Sequence, residues 1–369
     1  MSKMRHAAAV LLAAALTTGL LAPAAAQAPI QLGPPASQPA SQPAPKLPAS
    51  KPPAPKPEAK PAPRRPAPAQ AAPAAPAAPA SSGRELDMAY GAFQRGHYMT
   101  AFAIATRRVD EKKDVKAMTL LGELYASGLG IEHDDKKAAE WYRLAAERGD
   151  REAMFALAMF HLGGRIGAVN QEQGAKLLAA AAKLGHAAAA YDLGLLYLEG
   201  QLFPQDFARA AELFRSAAQA GNPESQYALA TLYKEGRGVP KDLAEAARLL
   251  AAAALADNTD AQVEYAIALF NGAGVARNEP AAAVMLAKAA RKGSAVAQNR
   301  LANVLAIGRG VQANPAEAIK WHIVAKAGGV SDISLDAFMQ KQTPDVRAAG
   351  EKAAKPWLDA LKEARESRS

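Results

Sequence analysis

The stretch that decides the fold is Ala117–Gly149, AMTLLGELYASGLGIEHDDKKAAEWYRLAAERG. It holds two amphipathic helical patterns, with apolar residues three and four apart, joined by a Gly-rich loop. The plan returns every 36 residues. Gly149, Gly185, Gly221, Asp257, Gly293 and Gly329 are copies of one position, and Gly128, Gly164, Gly200, Gly236, Gly272 and Gly308 of another. Ala145, Ala181, Ala217, Ala253, Ala289 and Ala325 form a third series, and Trp141 and Trp321 fall in register five periods apart. A fixed period of this length with two helices per unit defines a solenoid of stacked helix pairs.

Each repeated residue has a physical reason. Gly122, Ala158, Gly194, Ala230, Ala266 and Ala302 sit midway along the first helix of each unit. Small side chains there let a neighbouring helix approach closely. The Gly after that helix can adopt positive φ and end it in a left-handed cap. Ala pairs near the end of the second helix, such as Ala145–Ala146, let the next unit stack.

Outward from this stretch the spacing predicts first helices over 116–127, 151–162, 187–199, 223–235, 259–270 and 295–306. It predicts second helices over 135–148, 170–184, 206–220, 242–256, 279–292 and 315–327. Asn222-Pro223 and Asn314-Pro315 give an N-cap followed by Pro at the first helical position. Asp206 and Asp242 are further N-caps. The second unit departs from the pattern at His161 and Gly167. Six units over 116–329 are preceded at 83–115 by a tetratricopeptide-like pair and followed at 330–369 by a helical cap. In the cap, helices are expected over Ser331–Lys341 and Pro344–Ala353, with a last segment starting at Pro356. Phe338 and Trp357 should fold back on the sixth unit.

The N-terminus reads as export machinery. Lys3 and Arg5 precede the largely apolar run Ala7–Leu21, and Ala24-Ala25-Ala26 offers small residues for cleavage. Residues 1–26 are therefore expected to be a secretory signal peptide, and the mature chain a periplasmic protein without stable membrane insertion. An uncleaved signal acting as an inner-membrane anchor is the alternative. Residues 27–82 hold 18 of the 26 prolines, together with Lys46, Lys51, Lys56, Lys60, Arg64 and Arg65. Such a segment cannot bury a core and reads as a disordered, polyproline-II-rich linker. Its second reading is cationic attachment to peptidoglycan or another anionic surface.

The chain has no cysteine, which excludes disulfides, thiolate metal sites, a cysteine nucleophile and lipoprotein anchoring. Its net charge is +9, but only +2 of that falls after Ser82. The repeats carry no basic stripe with interleaved aromatics, so a nucleic-acid partner is not expected.

The pattern Ala117, Leu121, Gly122, Tyr125, Gly128 and Gly130, followed by Ala138, Trp141, Tyr142, Ala145, Ala146 and Gly149, resembles the Sel1-like repeat family. The resemblance spans about Lys116–Gly329 in six copies. It implies an all-α, right-handed α–α superhelical solenoid of Sel1-like, tetratricopeptide-like pairs, in an exported protein of Gram-negative type. It also implies a scaffold or adaptor: some periplasmic members restrain sensor kinases and others serve envelope assembly. A Cys-rich branch is described as hydrolysing β-lactams, but this chain lacks the paired cysteines.

No catalytic residue, cofactor or metal is expected. The Gly-x-Gly loops follow helices rather than strands and lack the third Gly of a phosphate loop. Arg237 and Arg309 within them read as solvated, with a partner's carboxylate as the alternative. His133-Asp134-Asp135 reads as a loop ending in an N-cap. An exported hydrolase is the least favoured reading.

The candidate site is the inner face of the solenoid. Two positions four apart share a face of each first helix. One series is Thr119, Phe155, Tyr191, Tyr227, Val263 and Asn299, and the other Glu123, Met159, Leu195, Thr231, Ile267 and Asn303. Phe155, Met159, Tyr191, Leu195 and Tyr227 would present an aromatic and apolar stretch to a protein or peptide partner, rimmed by Asp192, Glu264 and Arg300. The competing reading packs these aromatics between helices.

Overall fold

Paired side-chain caps punctuate the chain and define its helices. In the computed structural model, which describes residues 82–367, the N-terminal pair is α1 (Ser82–Gln94) and α2 (Tyr98–Lys112). The first helices of the six units are α3 (Val115–Ser127), α5 (Arg151–Leu162), α7 (Ala187–Glu199), α9 (Pro223–Glu235), α11 (Thr259–Asn271) and α13 (Ala295–Ile307). Their second helices are α4 (Asp135–Ala146), α6 (Gln171–Lys183), α8 (Phe207–Gln219), α10 (Leu243–Leu255), α12 (Glu279–Arg291) and α14 (Pro315–Ala327). Two helices close the stack, α15 (Ile333–Gln340) and α16 (Pro344–Glu366). The described residues contain no strand. The expected signal peptide, and the linker apart from Ser82, lie outside the described residues. No helix among them is long and apolar enough to cross a membrane.

Every repeat helix starts on a capping side chain one period from the last. Asp114, Asp150, His186, Asn222, Asn258 and Ser294 cap the first helices. Asp134, Asn170, Asp206, Asp242, Asn278 and Asn314 cap the second. Each accepts a backbone N–H that would otherwise lack a partner. His186 does so through Nδ1, 3.0 Å from the Ala189 nitrogen. Five first helices end on a left-handed Gly, and α5 ends instead on a right-handed Gly163, one residue before the left-handed Gly164. Asp257, in register with glycines, adopts φ 72°, and Lys288 and Lys292 hold its carboxylate.

The core runs along the stack as four clusters rich in Ala and Leu, with matched volumes across the helix pairs. An added Cβ on Gly122 would lie 2.6 Å from Tyr142, and one on Gly194 would lie 2.6 Å from Phe214. Where the first helix carries Ala158, Ala230 or Ala266, the residue in register on the second is Leu178, Leu250 or Leu286. In the sixth unit Ala302 corresponds to His322, which is buried and held by Asp336 of α15 at 2.8 Å.

Arginines in alternate loops reach back to the preceding unit. Arg165 bonds Asp135 and the Ala126 carbonyl. Arg237 lies 3.9 Å over the Phe207 ring. Arg309 bonds Glu279 at 2.8 Å and covers Phe270. The expectation that Arg237 and Arg309 are solvated is thereby corrected: these loops lie against the neighbouring unit, whose rings and carboxylate take the guanidinium groups.

At the C-terminus α16 is one helix with Pro356 inside it, not two segments broken at that residue. Packing on both sides of the proline holds it together. Gly350 sits against Ile319, Ala354 is fully buried, and the Trp357 ring lies 4.9 Å from that of Trp321. Trp357 thus folds back on the sixth unit. From α15 it is Leu335 that is buried, while Phe338 is half-buried.

Candidate partner-binding face

First helices approach one another across units at the N-terminal end of the stack, α1 with α3 and α3 with α5, as an inner layer would. The two side-chain series on that layer are buried or half-buried throughout. They divide into three neighbourhoods.

Phe155 and Met159 are half-buried on α5 and pack beside Ala158, Leu178 and Leu193. The Phe155 ring stacks on His186 at 4.4 Å, and His186 Nε2 lies 3.0 Å from Glu152. That imidazole is occupied on both sides, by a helix cap and by a carboxylate.

Tyr191, Asp192, Tyr227 and Glu264 come together on α7, α9 and α11. Tyr191 is 8% exposed, with its ring 5.7 Å from Phe214, and Leu195 is 7% exposed in the same core cluster. Leu195 thus offers little surface, and the Tyr191 ring is largely core. Tyr227 is half-buried one unit on. Among the described residues neither tyrosine hydroxyl makes a hydrogen bond. Burial pushes both phenols up, and surrounding carboxylates add to it: Asp192, Glu224 and Asp260 around Tyr191, Glu264, Asp260 and Glu235 around Tyr227. Both therefore stay protonated, able to donate, at any physiological pH.

Glu224 and Asp260 belong to this neighbourhood although the sequence reading did not single them out. They occupy the second position of α9 and α11. The signal was present: Asp260 lies four residues before Glu264, on the same helix face. Asp260 is open to solvent yet walled by protein, and that crowding, with Glu264 beside it, raises its carboxyl. Glu264 pairs with Lys234 at 2.8 Å.

Arg300, in register with Asp192 and Glu264, is 9% exposed, and its Nε has no hydrogen-bond partner. Burial lowers its pKa and Glu264 partly opposes this. Beyond it Asn299 and Asn303 both donate to Asp332, which closes the inner face at the cap.

No group of three His, Cys, Asp or Glu side chains suited to a metal occurs among the described residues. His133 and Asp135 take Arg165, and Asp134 caps α4.

Stacked helix pairs with a mixed aromatic and acidic inner face define a helical-repeat interaction scaffold. The Sel1 repeat profile matches residues 115–150, 151–186, 187–222, 223–258, 259–294 and 295–330, more than half of the chain. The chain belongs to the Sel1 repeat family, whose repeats generally mediate protein–protein interaction. It is similar in structure to a Sel1 repeat protein from Oxalobacter formigenes, with 26% identity over 65% of this chain and 96% of that one, at TM-score 0.57. It is also similar to c5321, a protective antigen of uropathogenic Escherichia coli with an SLR fold, with 24% identity over 76% and 70% of the two chains, at TM-score 0.50. Among curated proteins none matches the chain.

Proposed function

We propose that this protein is an exported, non-catalytic adaptor of the bacterial envelope that holds a protein or peptide partner on the inner face of α7, α9 and α11. One observation carries the reading: two tyrosine hydroxyls without partners sit among Asp192, Glu224, Asp260 and Glu264, carboxylates supplied by three successive first helices. Aromatic rings fixed by the core with polar tips free to donate favour recognition. Export follows from the N-terminal sequence pattern, and envelope assembly or regulation of a sensor is the process it would serve.

A photo-crosslinking residue at position 227 tests this in intact cells. It should capture a discrete envelope protein. The same probe at position 284, exposed on α12, should not. Identical capture from both positions, or none from 227, would refute the reading. Tyr227→Ala should abolish the interaction and leave helicity unchanged. Deleting residues 27–82 should leave partner capture intact, whereas peptidoglycan attachment through that segment predicts loss of envelope association.

A further inference from the structure

The inner face of α7–α13 combines four carboxylates with donors that have no acceptor. Asp192, Glu224, Asp260 and Glu264 surround the two tyrosines, and Glu264 faces two cations, Lys234 and Arg300. The Arg300 Nε is buried without a hydrogen-bond partner, and the Tyr191 hydroxyl, on a residue 8% exposed, makes no hydrogen bond among the described residues. A ligand that satisfies this face must bring positive charge, exposed acceptors and rings to lie on tyrosine.

A cationic proline-rich strand has those three properties. Polyproline II leaves every backbone carbonyl free, proline contributes no competing N–H, and its ring packs on aromatics. Lysines along the strand would meet the carboxylates. This chain contains such a strand in PAPKLPASKPPAPKPEAKPAPRR, with Lys46, Lys51, Lys56 and Lys60 spaced four or five residues apart.

We propose that the segment Pro43–Lys60 docks in cis on the face formed by Tyr191, Asp192, Glu224, Tyr227 and Asp260, and competes there with the external partner. The proposal rests on the inner face being the binding face. Geometry permits it. Six, eight and ten helix layers at about 10 Å each put α7, α9 and α11 at most roughly 60, 80 and 100 Å from α1. The 22–36 residues between these lysines and Ser82 span about 70–110 Å as polyproline II, so Lys60 reaches α7 and Lys46 reaches α11. Arg64 and Arg65, within about 55 Å of chain, fall short of α7. Tethering holds the segment at a millimolar-scale effective concentration, so modest intrinsic affinity suffices. An external partner then binds more weakly by the fraction of faces left open, about tenfold at nine-tenths occupancy.

Zero-length carbodiimide coupling of the purified chain tests the proposal. An equal mixture of ¹⁵N-labelled and unlabelled protein separates cis from trans products. The Lys234–Glu264 pair, 2.8 Å apart, reports that the chemistry worked. Label-matched links from Lys46, Lys51, Lys56 or Lys60 to Asp192, Glu224, Asp260 or Glu264 are expected. They should vanish in 1 M NaCl, where screening acts within about 3 Å, and in the variant Glu224→Gln/Asp260→Asn. Mixed-label links would replace the cis segment by that of a second copy and overturn the proposal. So would links scattered to outer-face carboxylates such as Glu140 and Glu212, or no links beside the Lys234–Glu264 control. Partner capture at position 227 in cells is independent of this outcome, so failure here leaves the adaptor reading standing.

Discussion

Gly194→Ala combined with Phe214→Leu tests how the units are held together. An Ala at 194 alone places its Cβ 2.6 Å from Phe214 Cε1 and 2.9 Å from Cδ1. The ring is fully buried with Tyr191 against it, so it has little room to yield. Overpacking of this kind costs about 1–3 kcal/mol. Replacing Gly within a helix returns about 1 kcal/mol, which leaves the single variant destabilised by roughly 0–2 kcal/mol. Phe214→Leu alone opens a cavity against Gly194 and costs about 1–2 kcal/mol. Together the two changes recreate the Ala230–Leu250 combination of the next unit. The methyl then fills the space the ring vacates, and the helix gain remains. The double variant should therefore lie within about 1 kcal/mol of the unchanged protein, with a favourable coupling of at least about 1 kcal/mol. Urea unfolding of all four proteins measures it. Because solenoids need not unfold all at once, amide exchange in α7 and α8 should be followed in parallel. If the penalties simply add, to within about 0.5 kcal/mol, volume matching does not hold the pair together.

Three further outcomes follow from the geometry. Burial raises the Asp114 carboxyl, but the Ala117 N–H and the buried Arg108 outweigh it, and the group sits below its ordinary value. Its contribution is therefore complete above about pH 4 and is lost as pH falls through the depressed folded value. Asp114→Asn keeps a competent cap but removes one charge-assisted hydrogen bond from Arg108. It should cost about 1.5–3 kcal/mol at neutral pH, and the difference should shrink on acidification in chemical denaturation. Gly149→Ala meets nothing within 4 Å and should cost only the left-handed penalty of about 1–2 kcal/mol. Gly274→Ala would put a Cβ 1.8 Å from the Leu243 carbonyl oxygen and should cost about 1–3 kcal/mol more, visible as a lower melting temperature. Arg309→Gln removes the bond to Glu279 and the cover on Phe270, and should speed amide exchange at the joint between the fifth and sixth units while leaving α3 unchanged.

What the sequence showed and what it hid divide along physical lines. Positions that act through backbone conformation or size alone were legible. The left-handed glycines and the small residues of the first helices recur whatever lies opposite, and the helix boundaries of the six repeats fall within two residues of those expected. Partnered features were not legible. That Gly122 and Gly194 are required by Tyr142 and Phe214 depends on which residue the second helix supplies, and only packing shows it. Arg237 and Arg309 look solvated in a Gly-rich loop until that loop is laid against the preceding unit. Pro356 is a helix breaker by local chemistry, and contacts from Gly350, Ala354 and Trp357 override it. On the inner face Tyr191, Asp192, Tyr227 and Glu264 were legible by four-residue spacing. Glu224 and Asp260 entered only when neighbouring helices brought their carboxylates toward the tyrosines.

The arginines that reach back do so from every second loop, because Leu129, Gln201 and Ala273 occupy the intervening copies. The rod is thus three buckled doublets rather than six equal links. Of the two joints between doublets, the one between α10 and α11 is tied by Lys234 on Glu264 and by Lys288 and Lys292 on Asp257, so bending compliance should concentrate between α6 and α7. The tyrosine and carboxylate face straddles the tied joint, so a guest spanning α9 and α11 would meet helices already held in register.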